Sequence, residues 1–187
     1  MVPRQLGYMI GTMLMGPALA RLNHKAIAIC GFLGIASASW LMSRWSLDVG
    51  YWSIGWAALL QGIACAAAFN PLNTLAFSTL PPADRQQSVP LFYLTINLGS
   101  SIGVAGTITF WAEETTRMRA ALVEHVSPFN PLLHQPELRD AWDLATASGR
   151  SALDKELIRQ AGMIGFNDTF ATMLCVALVG ALLVMAF

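Results

Sequence analysis

The stretch NPLNTLAFSTLPPADRQQSVP, Asn70 to Pro90, holds two charged side chains, Asp84 and Arg85. In front of them lie 35 residues, Val49–Ala83, without a single Asp, Glu, Lys or Arg. Behind them, Gln86–Ala112 is a second such run of 27 residues. A helix crossing a hydrocarbon core ~30 Å thick needs about 20 mostly apolar residues, at ~1.5 Å each. Both runs exceed that length. The polar centre of the stretch therefore reads as a turn between two membrane crossings.

The same pattern recurs on either side. Ala26–Ser43, 18 residues, and Thr169–Phe187, 19 residues, are also free of charged side chains. A helix at a water-facing surface must show a charged face, and four gaps of this kind leave none. Composition agrees: 55% of the 187 residues are hydrophobic, 12% are charged, and mean hydropathy is +0.53. Soluble domains carry about 25% charged residues. Formal net charge is zero, so nothing attracts nucleic acid.

A fifth apolar segment, Gln5–Ala20, has two readings. Its 16 residues cover about 24 Å, and the "ALA" at Ala18–Ala20 resembles a signal-peptide cleavage site. Gly7, Gly11, Gly16 and Pro17 make a poor signal core. We read it as a transmembrane helix whose beginning is missing. The expected fold is an all-α membrane protein with helices at about 4–21, 26–44, 51–79, 87–112 and 166–187. Helices satisfy every backbone amide internally, which lipid demands, and the alternating ten-residue strands of a barrel are not visible. The third helix has more residues than a straight crossing requires, so it tilts or bends at Pro71.

Residues 113–165 form a polar insert with six of the eleven basic and eight of the eleven acidic residues. AEETTRMRAALVEHV (Ala112–Val126) reads as a helix continuing out of the membrane. SPFNPLLHQP (Ser127–Pro136) is a turn-rich break with three prolines. Ser151 and Asp154 have capping-box spacing. A helix is expected to start there and to run, with a bend at Gly162 or Gly165, into the last span. Arg21, Lys25 and Arg85 lie in short loops on one side and Arg44 on the other. The positive-inside rule then puts the 21–25 and 80–88 turns in the cytoplasm and makes the insert extracytoplasmic.

Polar residues inside the spans are the candidate site. Gln61, Asn70 and Asn73 lie on the third helix, and Tyr93 and Asn97 pair at i, i+4 on the fourth. Two readings stay open. These groups are interhelical glue at about 0.6–2 kcal/mol per contact, or they line a cavity offering weak polar contacts to amphipathic cargo. Gly7 and Gly11 on the first helix, and Gly99, Gly103 and Gly106 on the fourth, are spaced for close helix packing. Cys30, Cys65 and Cys175 read as membrane-packed free thiols. Trp40, Trp45, Trp52 and Trp111 fall at predicted helix ends, as in an aromatic belt. His24, His125 and His134 have no metal-ligand spacing, so neither metal nor cofactor is expected. No nucleophile motif or phosphate loop appears.

Four motifs in order resemble the EmrB/QacA type of the major facilitator superfamily, fourteen-helix drug exporters driven by proton antiport. LLQGIACAAAFNPLNTLAFSTLPP (Leu59–Pro82) resembles their penultimate stretches. NLGSSIG (Asn97–Gly103) is similar to their N-L-G-G-S-I-G. RQAGMIGFNDTF (Arg159–Phe170) is similar to their Q-A-x-x-x-A-Y-x-D-x-F. GPALARLNHK (Gly16–Lys25) resembles a degenerate second copy of the superfamily's G-x-x-x-D-R-x-G-R-K loop. The resemblance implies the last five of fourteen helices, in the carboxy-terminal bundle of an inner-membrane multidrug exporter. Its partners would be membrane lipid, the amino-terminal helices of the same transporter, a periplasmic membrane-fusion adaptor with an outer-membrane channel, and a hydrophobic small-molecule substrate. Ala20 stands where the family's loop has Asp, so that gate contact cannot form here. Ile96 stands where a polar residue often precedes NLG, while Asp168 matches the family's Asp.

No Asp, Glu, Lys or Arg lies well inside the five spans, and Asp168 is only at an edge. An intramembrane acid is the usual seat of proton coupling, so coupling is expected mainly outside this sequence. Other readings are a small structural or scaffold membrane subunit and a membrane-embedded enzyme. The last lacks a clustered His/Asp or Ser/His pair.

Overall fold

A computed structural model describes residues 2–78, 81–124, 126 and 146–186, with side chains at all of these except 82–86. The Ser127–Pro136 break, His125, His134, Leu80 and the Arg85 side chain lie outside what is described. The described elements are five helices: α1 (Val2–Arg21), α2 (His24–Met42), α3 (Tyr51–Ser78), α4 (Pro82–Glu124) and α5 (Ala147–Ala186). Four of them, α2, α3, α4 from Gln87 and α5, are long and apolar enough to cross a membrane. α1 has the length, at 20 residues, but Arg4, Gln5 and three glycines make it less apolar. The side chains left outward are large and apolar, among them Trp52 at 83% exposure and Ile102 at 73%. Water does not tolerate such faces in bulk, and lipid does.

Local chemistry sets the helix ends. Asn23 closes the two-residue turn between α1 and α2, its side-chain oxygen accepting the Lys25 N–H at 3.0 Å. That satisfies one of the orphan donors at a helix start. α4 opens on Pro82, a position where the missing N–H costs nothing. Pro71 is fully buried within α3, and the Thr74 hydroxyl bonds the Asn70 carbonyl beside it at 3.2 Å.

Helices α4 and α5 run well beyond the expected spans of 87–112 and 166–187. At 43 and 40 residues, each is about 60 Å long, roughly twice the hydrocarbon thickness. α5 starts earlier than the Ser151–Asp154 spacing predicts. The hydroxyl of Thr146 accepts the Gly149 N–H at 3.1 Å, which is the N-cap geometry. Ser151 falls inside the helix, and Asp154 pairs with Arg119 instead. The helix is continuous through Gly162 and Gly165. An internal glycine costs a helix only ~1 kcal/mol, which packing absorbs.

The chain divides into two compact units, Met1–Val104 with Phe170–Phe187, and Ala105–Thr169. In the first, α3 is the central element, with α1 on one flank and α2 on the other. Small residues permit this. A methyl on Gly7 would collide with the Leu59 carbonyl, and one on Gly62 with the Arg4 carbonyl. Gly11 faces Ala66 Cβ at 2.7 Å, Gly34 faces Ala64 Cβ at 2.9 Å, and Gly31 abuts the Ala67–Ala68 backbone, all distances taken from where a Cβ would stand. The Phe32 ring sits over Gly180 of α5, 2.7 Å from such a Cβ. Without a hydrophobic force between helices in lipid, backbone proximity of this kind supplies the packing energy.

The second unit contains an antiparallel helix pair. Trp111 Nε1 donates to the Gly162 carbonyl at 3.3 Å. Arg119 meets Asp154 at 2.5 Å, eight residues further in each helix and in opposite directions. Gly165 lets the Trp111–Thr115 turn approach, its Cβ position lying 2.8 Å from Thr115 Oγ1.

Candidate functional site

The polar residues of the spans divide between inward and outward positions. Gln61 is buried in α3 at 8% exposure. Asn70, nine residues further on, is half-buried, and its Nδ2 donates to Thr12 Oγ1 of α1 at 3.3 Å. Thr12 itself donates to the Tyr8 carbonyl at 2.9 Å. Asn73 is half-buried near the end of α3. Tyr93 and Asn97 project from an open face of α4. The Tyr93 ring meets Phe92 edge-on at 5.9 Å, and Phe92 in turn meets Phe77 of α3 at 4.9 Å. The five candidates are thus not gathered in one place.

The glycines divide likewise. Gly7 and Gly11 are buried against α3. A Cβ at Gly99, Gly103 or Gly106 would stand in open space. The expectation that these three pack closely has no counterpart among the described residues. Two hydroxyls escaped the sequence reading. Thr12 is the partner of Asn70, and Ser39 is fully buried in α2 with no hydrogen-bond partner among the described residues. A lone hydroxyl inside an apolar run is an ambiguous signal, because it bonds its own helix as readily as a neighbour.

Clefts open on the first unit. One, of about 650 Å³, is walled by Leu72, Leu75 and Ala76 of α3, Phe92 of α4 and Leu183 and Val184 of α5, with Lys25 and Ser78 at its polar margin. Another, of about 520 Å³, lies along the α2–α3 seam between Trp40, Leu41, Leu60 and Ile63 and has no charged residue in its lining among the described residues. None of the five polar candidates lines either cleft.

At the loop end of the chain, Arg21 closes α1 and Lys25 sits in the first turn of α2. Arg44 stacks its guanidinium on Trp40 at 4.5 Å, at the far end of α2. In the second unit Arg159 donates two bonds to Glu156 at 2.9 Å and Gln160 adds one. The Arg159 bonds chiefly, then that of Gln160, hold the Glu156 carboxyl below its ordinary pKa. Cys30, Cys65 and Cys175 are free thiols. Among the described residues no group of His, Cys, Asp and Glu is placed to hold a metal.

The described residues form a helical chain with small-residue seams and sparse polar groups on spans apolar enough to cross a membrane. The family model described as Major Facilitator Superfamily matches residues 4–119. The chain belongs to the Major Facilitator Superfamily. It is 30% identical over 123 residues to the "Multidrug export protein EmrB" of Escherichia coli (strain K12), covering 63% of this chain and 24% of that protein. Against the Haemophilus influenzae protein of the same name it is 24% identical over 166 residues, 84% of this chain and 32% of that one. The "Probable multidrug resistance protein EmrY" of Escherichia coli is 25% identical over 111 residues, 59% of this chain and 22% of that one. The chain spans about a quarter to a third of the length of these curated relatives. No solved structure matches. Family and relatives alike are those of a transporter, not an enzyme, and of a multi-pass membrane protein.

Proposed function

We propose that the chain is part of a secondary active multidrug efflux transporter, exporting hydrophobic or amphipathic compounds across the inner membrane by proton antiport. The observation that carries this reading is the 30% identity to a multidrug export protein over 63% of the chain. In this reading the five helices belong to the carboxy-terminal bundle and work with amino-terminal helices of the same transporter. The paired ends of α4 and α5 face the periplasm, where an adaptor and an outer-membrane channel would receive the cargo. The 21–25 and 80–88 turns, with Arg21, Lys25 and Arg85, face the cytoplasm.

In this reading the polar residues take two roles. Asn70 is engaged by Thr12 and serves as glue. Gln61 and Asn73 support the same core. Tyr93 and Asn97, on the open face of α4, are available to cargo, and Gly99, Gly103 and Gly106 keep that face smooth for a bundle that rocks between access states.

The test is dye efflux by the transporter that contains this sequence, in bacteria lacking their own exporters. A protonophore should abolish efflux. Asn97→Ala should change the relative rates for different dyes with protein level unchanged. Residues 1–187 alone, reconstituted in vesicles, should show no drug-driven proton release, since the spans carry no acid well inside. Drug-driven proton release by residues 1–187 would refute the assignment of coupling to other helices.

A further inference from the structure

Gly31 and Gly34 bring α2 against the backbone at Ala67–Ala68 and the methyl of Ala64 in α3, and the 520 Å³ cleft runs along this seam. Its lining reaches from Cys30 to Leu41 on α2 and from Ala57 to Ala67 on α3. At ~1.5 Å per residue the groove is about 16 Å long. That is the depth of one leaflet, half of a hydrocarbon core ~30 Å thick. We infer that this groove holds one acyl chain of a phospholipid whose phosphate sits at the Arg44 guanidinium. Glycines and alanines hollow the groove, and Leu60 and Ile63 give it aliphatic walls. The Ser37 hydroxyl in the lining is spent on the Gly34 carbonyl of its own helix at 2.9 Å. Such a lining suits hydrocarbon and not a polar solute.

Charge at one end selects a phospholipid. Trp40 is part of the groove wall, and the Arg44 guanidinium lies over its ring, 4.5 Å from the centre. The ring attracts the charge without consuming an N–H, so the planar fork of donors remains for oxygen acceptors. Among the described residues no carboxylate pairs with Arg44. Arg44 is also the first charged side chain after the 18-residue run Ala26–Ser43, which sets it at the level of headgroups. Trp40 and Trp45 flank it in sequence, as side chains of the interfacial belt do. A guanidinium fork matches the paired oxygens of a phosphate. The site therefore fits one molecule that is apolar along the groove and anionic at the Trp40 end.

The inference rests on the chain lying in a membrane and not on drug export, and efflux by the same variants is scored separately. The experiment is native mass spectrometry of the full chain in mild detergent, given phosphatidylglycerol or a phosphate-free diacylglycerol with identical acyl chains. Phosphatidylglycerol should be retained in preference. Arg44→Gln should cut its occupancy about fivefold, the upper end for an exposed ion pair. The same variant should hold diacylglycerol as before, which separates loss of charge from loss of fold. Ser37→Phe puts a ring into the groove and should lower both lipids. Equal retention of the two lipids by the unmodified chain, an unchanged phosphatidylglycerol count in Arg44→Gln, or unchanged counts in Ser37→Phe overturns the proposal. Occupancy is also read in native membranes, with Ser37→p-benzoylphenylalanine in the transporter that contains this sequence. Irradiation should join that position to phospholipid. A bond to a second copy or to another helix of the transporter would put protein over the groove and overturn the proposal.

Discussion

The side-chain amide of Asn70 in α3 bonds the hydroxyl of Thr12 in α1 at 3.3 Å, 58 residues apart in sequence. The Thr12 hydroxyl donates its own hydrogen bond to the Tyr8 carbonyl, so its oxygen is oriented to accept from Asn70. The contact lies on the same flank of α3 as the Gly7, Gly11 and Gly62 seam. Close backbones bring the helices together there, and one directional bond adds register. Asn70→Leu and Thr12→Val should each lower the thermal midpoint of the detergent-solubilised chain, at about 0.6–2 kcal/mol each. Combined, they should cost no more than the larger single change. Full additivity would show that the two groups do not interact.

The glycines should separate by position. Gly7→Leu and Gly62→Leu force a side chain into the opposing backbone at Leu59 and Arg4. Overpacking of this kind costs about 1–3 kcal/mol, and here α1 has no room to retreat without leaving α3. Gly99→Ala enters open space and should stay within about ±0.5 kcal/mol. A melting series on the same preparation tests the ranking. Equal losses at Gly7 and Gly99 would contradict the packing described.

Arg119 and Asp154 join α4 to α5 outside the apolar spans. Their side chains are 48% and 47% exposed, so the pair is partly screened, and its removal should cost only about 0.2–1 kcal/mol. Arg119→Asp or Asp154→Arg alone should loosen the helix pair, and the double reversal should restore it. Added salt should erase the difference. Hydrogen exchange across residues 115–120 and 150–158 is the readout.

Glu156 predicts a pH dependence. Its carboxyl pKa is lowered from an ordinary 4.5 by the Arg159 and Gln160 bonds. A depressed value in the folded chain means that stability is present above the unfolded value. It is lost as pH falls through the folded value. Exchange protection around residues 156–160 should therefore hold from neutral pH down to about 4.5 and decline below it. Glu156→Gln should flatten the profile. An unchanged acid decline in that variant would assign the effect to another group.

Much of this protein was legible in its one-dimensional charge pattern. Val49–Ala83 and Gln86–Ala112 specify helices because lipid offers backbone amides no other partner. Family kinship was also readable, since motifs such as NLGSSIG are local words. The lengths of α4 and α5 were less so. Residues 113–124 and 147–165 are polar, and polar sequence is helical or not according to what it packs against. The partner of Arg119 lies 35 residues away, beyond any periodicity.

The sequence by itself determined which segments avoid water, because hydropathy is a property of side chains taken in order. Tertiary structure alone decided which glycines meet a neighbour and which face open space. Gly7 and Gly99 carry identical local signals, and both begin a small-xxx-small pair. Only α3 lying against α1 makes the first a seam, and only the lack of a described neighbour leaves the second open. The same holds for the polar groups. Asn70 found Thr12 because two backbones come close enough for one amide to span the gap, a distance that no spacing along the chain encodes.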